Sequence, residues 1–195
     1  MVTRTSHGAT NVLIDTHCHL DDLSFVEDYD TVIAESVQAG VRGWINVGFE
    51  PARWRSAIAL PKRTEGMSVM LGVHPSSADR WSPETAVNLR DFLKKSGAVA
   101  IGEIGLDFLR PEAPTSDVQT QAFNEQLDLA IELGLPAVIH MRESEQRMLQ
   151  LLIHRTSLPP LLFHSYDGGP DLADYVLNSG KFTVVGGLAT RTASD

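Results

Sequence analysis

Asn11-Val12-Leu13-Ile14-Asp15-Thr16-His17-Cys18-His19 is an apolar run that becomes polar at its end. In an extended strand successive side chains point to opposite faces, so Asp15, His17 and His19 share one face and Cys18 takes the other. Two imidazoles on one face of a strand terminus are a natural pair of ligands for a divalent metal. The pattern recurs along the chain. Short apolar runs at 11–17, 43–49, 68–74, 98–105, 136–140, 160–164 and 181–187 alternate with helical stretches. Several are almost continuously apolar, as parallel strands covered on both faces are. The third, fifth and sixth runs end in His74, His140 and His164, and the fourth carries Glu103 inside Gly102-Glu103-Ile104-Gly105-Leu106-Asp107. Five of the seven histidines thus fall at predicted strand ends, leaving His7 in the leading polar stretch and His154 on a helix.

The intervening stretches read as helices. Ser82 before Pro83 is an N-cap with proline at the first helical position, and the helix it opens is expected to bury Phe92 and Leu93 and stop near Gly97. Between Asp117 and Glu132, Phe123, Leu127, Ala130 and Ile131 share one face, and Gly134 with Pro136 ends the pattern. Met148, Leu151 and Leu152 mark another amphipathic helix; Leu172, Tyr175, Val176 and Leu177 mark a last one before Gly180. Seven strand-then-helix units leave an open doubly wound sheet or a (β/α) barrel. No glycine-rich fingerprint follows the first strand, which weakens the dinucleotide-binding form of the open sheet. Polar residues at the ends of several different strands favour the barrel, whose catalytic groups sit there.

A carboxylate on an apolar strand is costly without a cationic or hydrogen-bonding partner, and a metal would supply one to Glu103. Imidazole with carboxylate suits Zn, Mn, Fe or Ni better than Mg. A bridging carboxylate would let two ions sit side by side in the two-metal hydrolytic arrangement. Arg142, two residues after His140, could clamp an anionic oxygen or form a salt bridge. Asp107 could orient a ligand histidine. Cys18, on the opposite strand face, is expected to pack. Gly168-Gly169 is a loop with no following lysine, so it is not a Walker-type phosphate cradle. Trp44, Trp54 and Trp81 are too scattered for a base-stacking platform and are read as packing.

The 195 residues are the size of one domain, and a composition 43% hydrophobic and 21% charged is globular. Sixteen basic against 25 acidic residues give a net charge of -9, which argues against a protein that coats nucleic acid through a basic track. One cysteine excludes an intrachain disulfide and an all-cysteine metal site. Residues 1–10 lack an apolar h-region and are expected to be a flexible tail, with 11–195 as a single domain. No membrane span and a cytoplasmic setting are expected.

Taken together, DTHCHLD (15–21), GVHP (72–75), GEIGLD (102–107), PAVIHMR (136–142) and LLFHSYDGG (161–169) resemble, in order and spacing, the signature blocks of the TatD-family metal-dependent deoxyribonucleases, a branch of the amidohydrolase-like barrels. The resemblance implies a TIM-type (β/α)8 barrel that hydrolyses phosphodiester bonds in DNA with metal-activated water. It further implies exonuclease action from the 3′ end, on single-stranded or frayed DNA. His17 and His19 would bind the first ion, Glu103 would bridge, and His140 and His164 would bind the second. Glu103, His74 and Arg142 would form the catalytic group, with His74 and Arg142 near the substrate phosphate. The ions implied are Mg2+ in use, with Zn2+, Mn2+ or Ni2+ also able to fill the sites. The family continues with an eighth strand carrying a Glu-Thr-Asp-like motif, which does not occur here. About seven βα units are therefore expected, an incomplete barrel truncated before strand eight, with reduced activity and with strand edges open to self-association. The alternatives are a metal-dependent hydrolase of a small ester or amide, and a noncatalytic metal-binding barrel fragment.

Overall fold

The computed structural model describes residues 12–166, 168–179 and, as backbone, 182–184. The expected tail, His7 and residues 185–195 lie outside these. Among the described residues seven strands form one sheet: β1 (Leu13–Cys18), β2 (Val41–Gly48), β3 (Met67–Leu71), β4 (Ala100–Asp107), β5 (Ala137–Arg142), β6 (Leu161–Phe163) and β7 (Phe182–Val184). Their order in space is their order in sequence, and every neighbouring pair is parallel. Helices fill the connections: α1 (Tyr29–Gln38), the short α2 (Trp54–Ala57) and α3 (Leu60–Arg63), α4 (Pro83–Ser96), α5 (Ser116–Leu133), α6 (Glu145–Ile153) and α7 (Pro170–Ser179).

The sheet is curled. The His17 ring, on β1, stacks at 3.6 Å and 9° on the His164 ring, just past β6. Across a flat sheet, five strand intervals would hold those positions roughly 24 Å apart. The outward faces of β3 to β6 meet α4 to α7 in the main core, through Val69, Leu71, Ile101, Ile104, Ile139 and Phe163 against Leu89, Leu93, Phe123, Leu127, Met148 and Val176. The concave face holds its own small apolar plug, Val47, Met70, Ala100 and Val138, with Ile45 and Leu162 against it. Period-two alternation from that plug leads up β3 through Gly72 to His74, up β5 to His140, and up β6 to His164. The parallel curled sheet is thus barrel-like, with the histidines on its inner wall.

Strand β4 breaks the alternation. Ile101, Ile104 and Leu106 all pack outward, so a regular strand would send Glu103 out with Ile101. A register irregularity against β5 falls between Ile101 and Ile104, and such a bulge re-aims the side chains that follow it. Glu103 turns inward as a result. Gly105 is required by the same close pairing: it has a φ of 148°, and a Cβ there would collide with the His140 carbonyl oxygen.

Helix α4 is capped as its sequence predicts: Ser82 Oγ accepts from the Thr85 N–H at 3.1 Å, and Gly97 closes it in the left-handed conformation. Its fully buried pair is Leu89 with Leu93. Phe92 is only partly buried, its ring tilted against Trp54 at 5.7 Å. Ile131 and Leu177, expected on buried faces, are 36% and 70% exposed. In α5 the buried face instead includes two glutamines, Gln119 and Gln126.

Candidate metal centre

The residues of the centre come from five strands, β1, β3, β4, β5 and β6, and side-chain bonds tie down the ends of three of them. The turn after β1 is held by Asp21, whose buried carboxylate accepts from Asn46 Nδ2 at 3.0 Å and Arg53 Nε at 2.9 Å. The end of β3 is gripped by Gln126: its Oε1 accepts from Val73 N–H at 2.7 Å and its Nε2 donates to Val73 O at 3.1 Å. Gln119 does the same for the end of β4, accepting from Asp107 N–H at 2.8 Å and donating to Asp107 O at 3.0 Å. Sequence reasoning missed both amides. The readable signal was two glutamines seven residues apart on the apolar stripe of one helix.

All the candidate residues, His17, His19, His74, Glu103, His140, Arg142 and His164, line one cavity of about 430 Å³. Glu103 is its buried hub. His140 Nδ1 donates to Glu103 Oε1 at 2.9 Å, and His17 Nε2 lies 3.4 Å from Glu103 Oε2. Burial opposes ionisation of Glu103, but the hydrogen bonds from His140 and His17 outweigh it and hold the carboxyl well below the ordinary range. Among the described residues two sets of ligand atoms converge within 4.8 Å: His17, Glu103 and His164, and His74, Glu103 and His140. Glu103 belongs to both.

The histidines differ in what they offer. Burial first, then the neighbouring His17, push His164 down to about 4; burial and His140 do the same to His74, also to about 4. Burial and His17 lower His19 as well. Neutral imidazoles are what a metal requires. His19 Nδ1 donates to Val47 O at 3.3 Å, which leaves the Nε2 lone pair free for a ligand bond. His74 is the reverse. Its Nδ1 accepts from the Ser76 N–H at 3.1 Å, so the proton of the neutral ring sits on Nε2. His74 therefore offers a hydrogen-bond donor rather than a lone pair. His140 stands between two carboxylates, Glu103 and, through Nε2 at 3.1 Å, Asp107. Burial would lower it, but those two acceptors raise it.

The donor set fits divalent ions on its own chemistry. It combines buried nitrogen donors with one shared, ionised carboxylate. Among the described residues the buried His17 Nδ1 has no hydrogen-bond partner, a deficit that calls for an explanation in a packed interior. Asp107, on the far nitrogen of His140, is placed as a carboxylate that would fix the ring's orientation if His140 ligates an ion. Arg142 lines the same cavity and makes no ion pair among the described residues. Cys18 turns away from the centre, its Sγ donating to Ile45 O at 3.4 Å, and packs with Leu20, Tyr29 and Trp44.

Comparison with known proteins agrees with this geometry. The family model described as TatD related DNase matches residues 14–195. The chain is 33% identical over 176 residues to the 3′-5′ ssDNA/RNA exonuclease TatD of Enterobacter lignolyticus, covering 90% of this chain and 67% of that one. It is 35% identical over 179 residues to the protein of the same description from Erwinia tasmaniensis, covering 90% and 68%. The crystal structure of YJJV, a TatD homolog from Escherichia coli, superposes with a TM-score of 0.80 at 29% identity, over 88% of this chain and 66% of that one. The chain thus spans about two thirds of the length of these relatives.

Proposed function

The chain belongs to the family of TatD related DNases, and on that premise we propose that it hydrolyses phosphodiester bonds in DNA, acting from the 3′ end of single-stranded or frayed strands. The observation that carries the reading is Glu103: a buried carboxylate that is kept ionised and lies in both convergent ligand sets. Divalent ions held there would supply Lewis acidity, acidifying water and offsetting the charge of the phosphodiester. Their ligands would be His17, His19, Glu103, His140 and His164, with Glu103 held in common. His19 presents its Nε2 lone pair, and Asp107 holds the ring of His140 in place. His74, as an Nε2–H donor, and Arg142, as a guanidinium fork, would grip the non-bridging phosphate oxygens and orient the diester. The net charge of -9 gives no continuous basic track, so affinity is concentrated at the cavity. A narrow cavity admits a strand end more readily than an intact duplex.

Among the described residues no helix is long and apolar enough to cross a membrane. A cytoplasmic setting, with DNA ends as the partner, completes the reading. Metal analysis of protein purified without chelator should show divalent ions above trace level, and paired His17→Ala and His19→Ala changes should remove part of that content. Hydrolysis of a 3′-labelled oligonucleotide should depend on added Mg2+ or Mn2+ and should outpace cleavage of a closed single-stranded circle. Faster cleavage of the circle would overturn end-directed action. Metal binding without hydrolysis of any diester would instead favour a noncatalytic metal-binding protein, and hydrolysis restricted to small esters or amides the alternative enzyme.

A further inference from the structure

The turn after β4 carries a further cation close to the centre. Asp107 ends that strand and pairs in register with Arg142 on β5. Three residues on, Arg110 reaches back toward it, with Nε 4.0 Å from Asp107 Oδ2. The backbone that presents Arg110 is held on both sides. Phe108 N–H donates to Arg142 O at 2.9 Å, and Ala113 N–H donates to Arg110 O at 3.1 Å. Leu109 N–H donates to Asp107 Oδ1 at 3.0 Å. Arg110 is thus a long side chain on a fixed base.

Its charge is not neutralised locally. At 4.0 Å the contact with Asp107 is too long for a hydrogen bond. Both oxygens of that carboxylate are already engaged, Oδ2 by His140 Nε2 and Oδ1 by Leu109 N–H. The guanidinium has no other partner among the described residues, and the side chain is 59% exposed. Arginines on the neighbouring turns differ. Arg53, after β2, donates to Asp21 and Asp22, and Arg80, after β3, pairs with Glu50 at 3.4 Å. Arg110 does not line the cavity, yet it stands near enough to act on a residue of its wall: burial and His140 lower His74, and the Arg110 charge adds to that. An open cation just outside the cavity, beside a wall residue that offers an N–H donor, suits an anion that itself lies just outside.

A strand that enters by its 3′ end carries no further phosphate on that side of the reacting one. Its next negative charge therefore lies on the 5′ side, outside the cavity. Resting on the phosphodiesterase reading, we infer that Arg110 binds that next phosphate, the first on the 5′ side of the one that reacts. A guanidinium fork matches two non-bridging phosphate oxygens. A long, exposed cation follows the backbone of any sequence, so the contact adds affinity for a strand without reading its bases. Substrates with two consecutive phosphates are therefore preferred over single diesters.

The test compares three substrates in Mg2+: trithymidylate, cleaved at its 3′ linkage; the same trimer with an uncharged methylphosphonate at its 5′ linkage; and bis(4-nitrophenyl) phosphate, which has one phosphate only. In the unaltered protein the methylphosphonate should lower kcat/KM about tenfold through KM, the effect of one charge-assisted contact. Arg110→Ala should lower kcat/KM on the ordinary trimer by a similar factor, lose nothing further on the methylphosphonate and leave the small diester unaffected. Arg110→Lys should restore part of the loss, as a point charge without the fork. A methylphosphonate penalty as large in Arg110→Ala as in the unaltered protein would overturn the contact. Equal losses on the trimer and the small diester would also overturn it, and would make Arg110 a support of Asp107 instead. If no diester is hydrolysed, calorimetric affinity for the two trimers decides. A preference for the charged trimer that vanishes in Arg110→Ala would uphold the contact and overturn the phosphodiesterase reading alone; equal affinity of the unaltered protein for both trimers would overturn the contact.

Discussion

Cys18 lies between two candidate ligands in sequence and has no part in their chemistry. Alternation alone separates it from His17 and His19, and the structure keeps that separation, with the thiol packed under β2. Burial, then the negative charge of Asp15, push the thiol up to about 12. The unfolded thiol ionises near its ordinary value of 9.0. The group's contribution to stability is therefore complete below pH 9 and is lost as the pH rises toward 12. At pH 8 the folded thiol should react with iodoacetamide about a thousandfold more slowly than the urea-unfolded thiol, from thiolate fraction alone. Mass spectrometry of timed alkylation checks this, and comparable rates in the two states would contradict the burial. At the same scale, the proton positions on His19 and His74 were closed to sequence reading. Each is set by one backbone partner, Val47 O or Ser76 N–H, that only the folded turn brings to the ring.

Helix α5 holds the ends of two strands through side chains that a hydrophobic pattern passes over. Gln126 satisfies both backbone groups of Val73, one residue before His74, and Gln119 both backbone groups of Asp107. Gln126→Ala would leave a buried N–H and a buried carbonyl unpaired and should cost about 2–4 kcal/mol in urea unfolding. Gln121→Ala, on the exposed face of the same helix, should cost under about 0.5 kcal/mol. Equal losses for the two would show that the amide clamp has no special weight. The strands and long helices were legible because β-branched runs, the Ser82-Pro83 start and the glycine stops each act locally. Phe92 and Ile131 were misplaced because which edge of an apolar stripe is covered depends on the neighbouring layer: Trp54 beside Phe92 leaves it half-covered.

At the scale of the whole molecule, an exposed strand edge bears on association. Among the described residues β1 pairs only with β2, and it presents Val12, Leu13 and Ile14 at 64%, 50% and 62% exposure. An exposed apolar edge strand is a template for pairing with another chain. Self-association that rises with concentration is expected, and Ile14→Lys should reduce it with less than about 1 kcal/mol change in stability. Sedimentation at several concentrations provides the check. Unaltered protein that stays monomeric throughout, or association untouched by the lysine, would remove β1 as the contact.

The sequence by itself determined the parallel strand-and-helix alternation, the strands that bear the candidate residues and the family, because strand period, helix caps and motif order are local or linear properties. The tertiary structure alone decided how those residues meet. Curling brings His17 of β1 onto His164 beyond β6, a contact between positions far apart in the chain. The irregularity in β4 turns Glu103 inward against the alternation of its own strand. The partner on each imidazole decides which nitrogen keeps the proton. Each of these depends on the pairing of one strand with another or on the packing of a turn, and neither is written in the order of residues along a single strand.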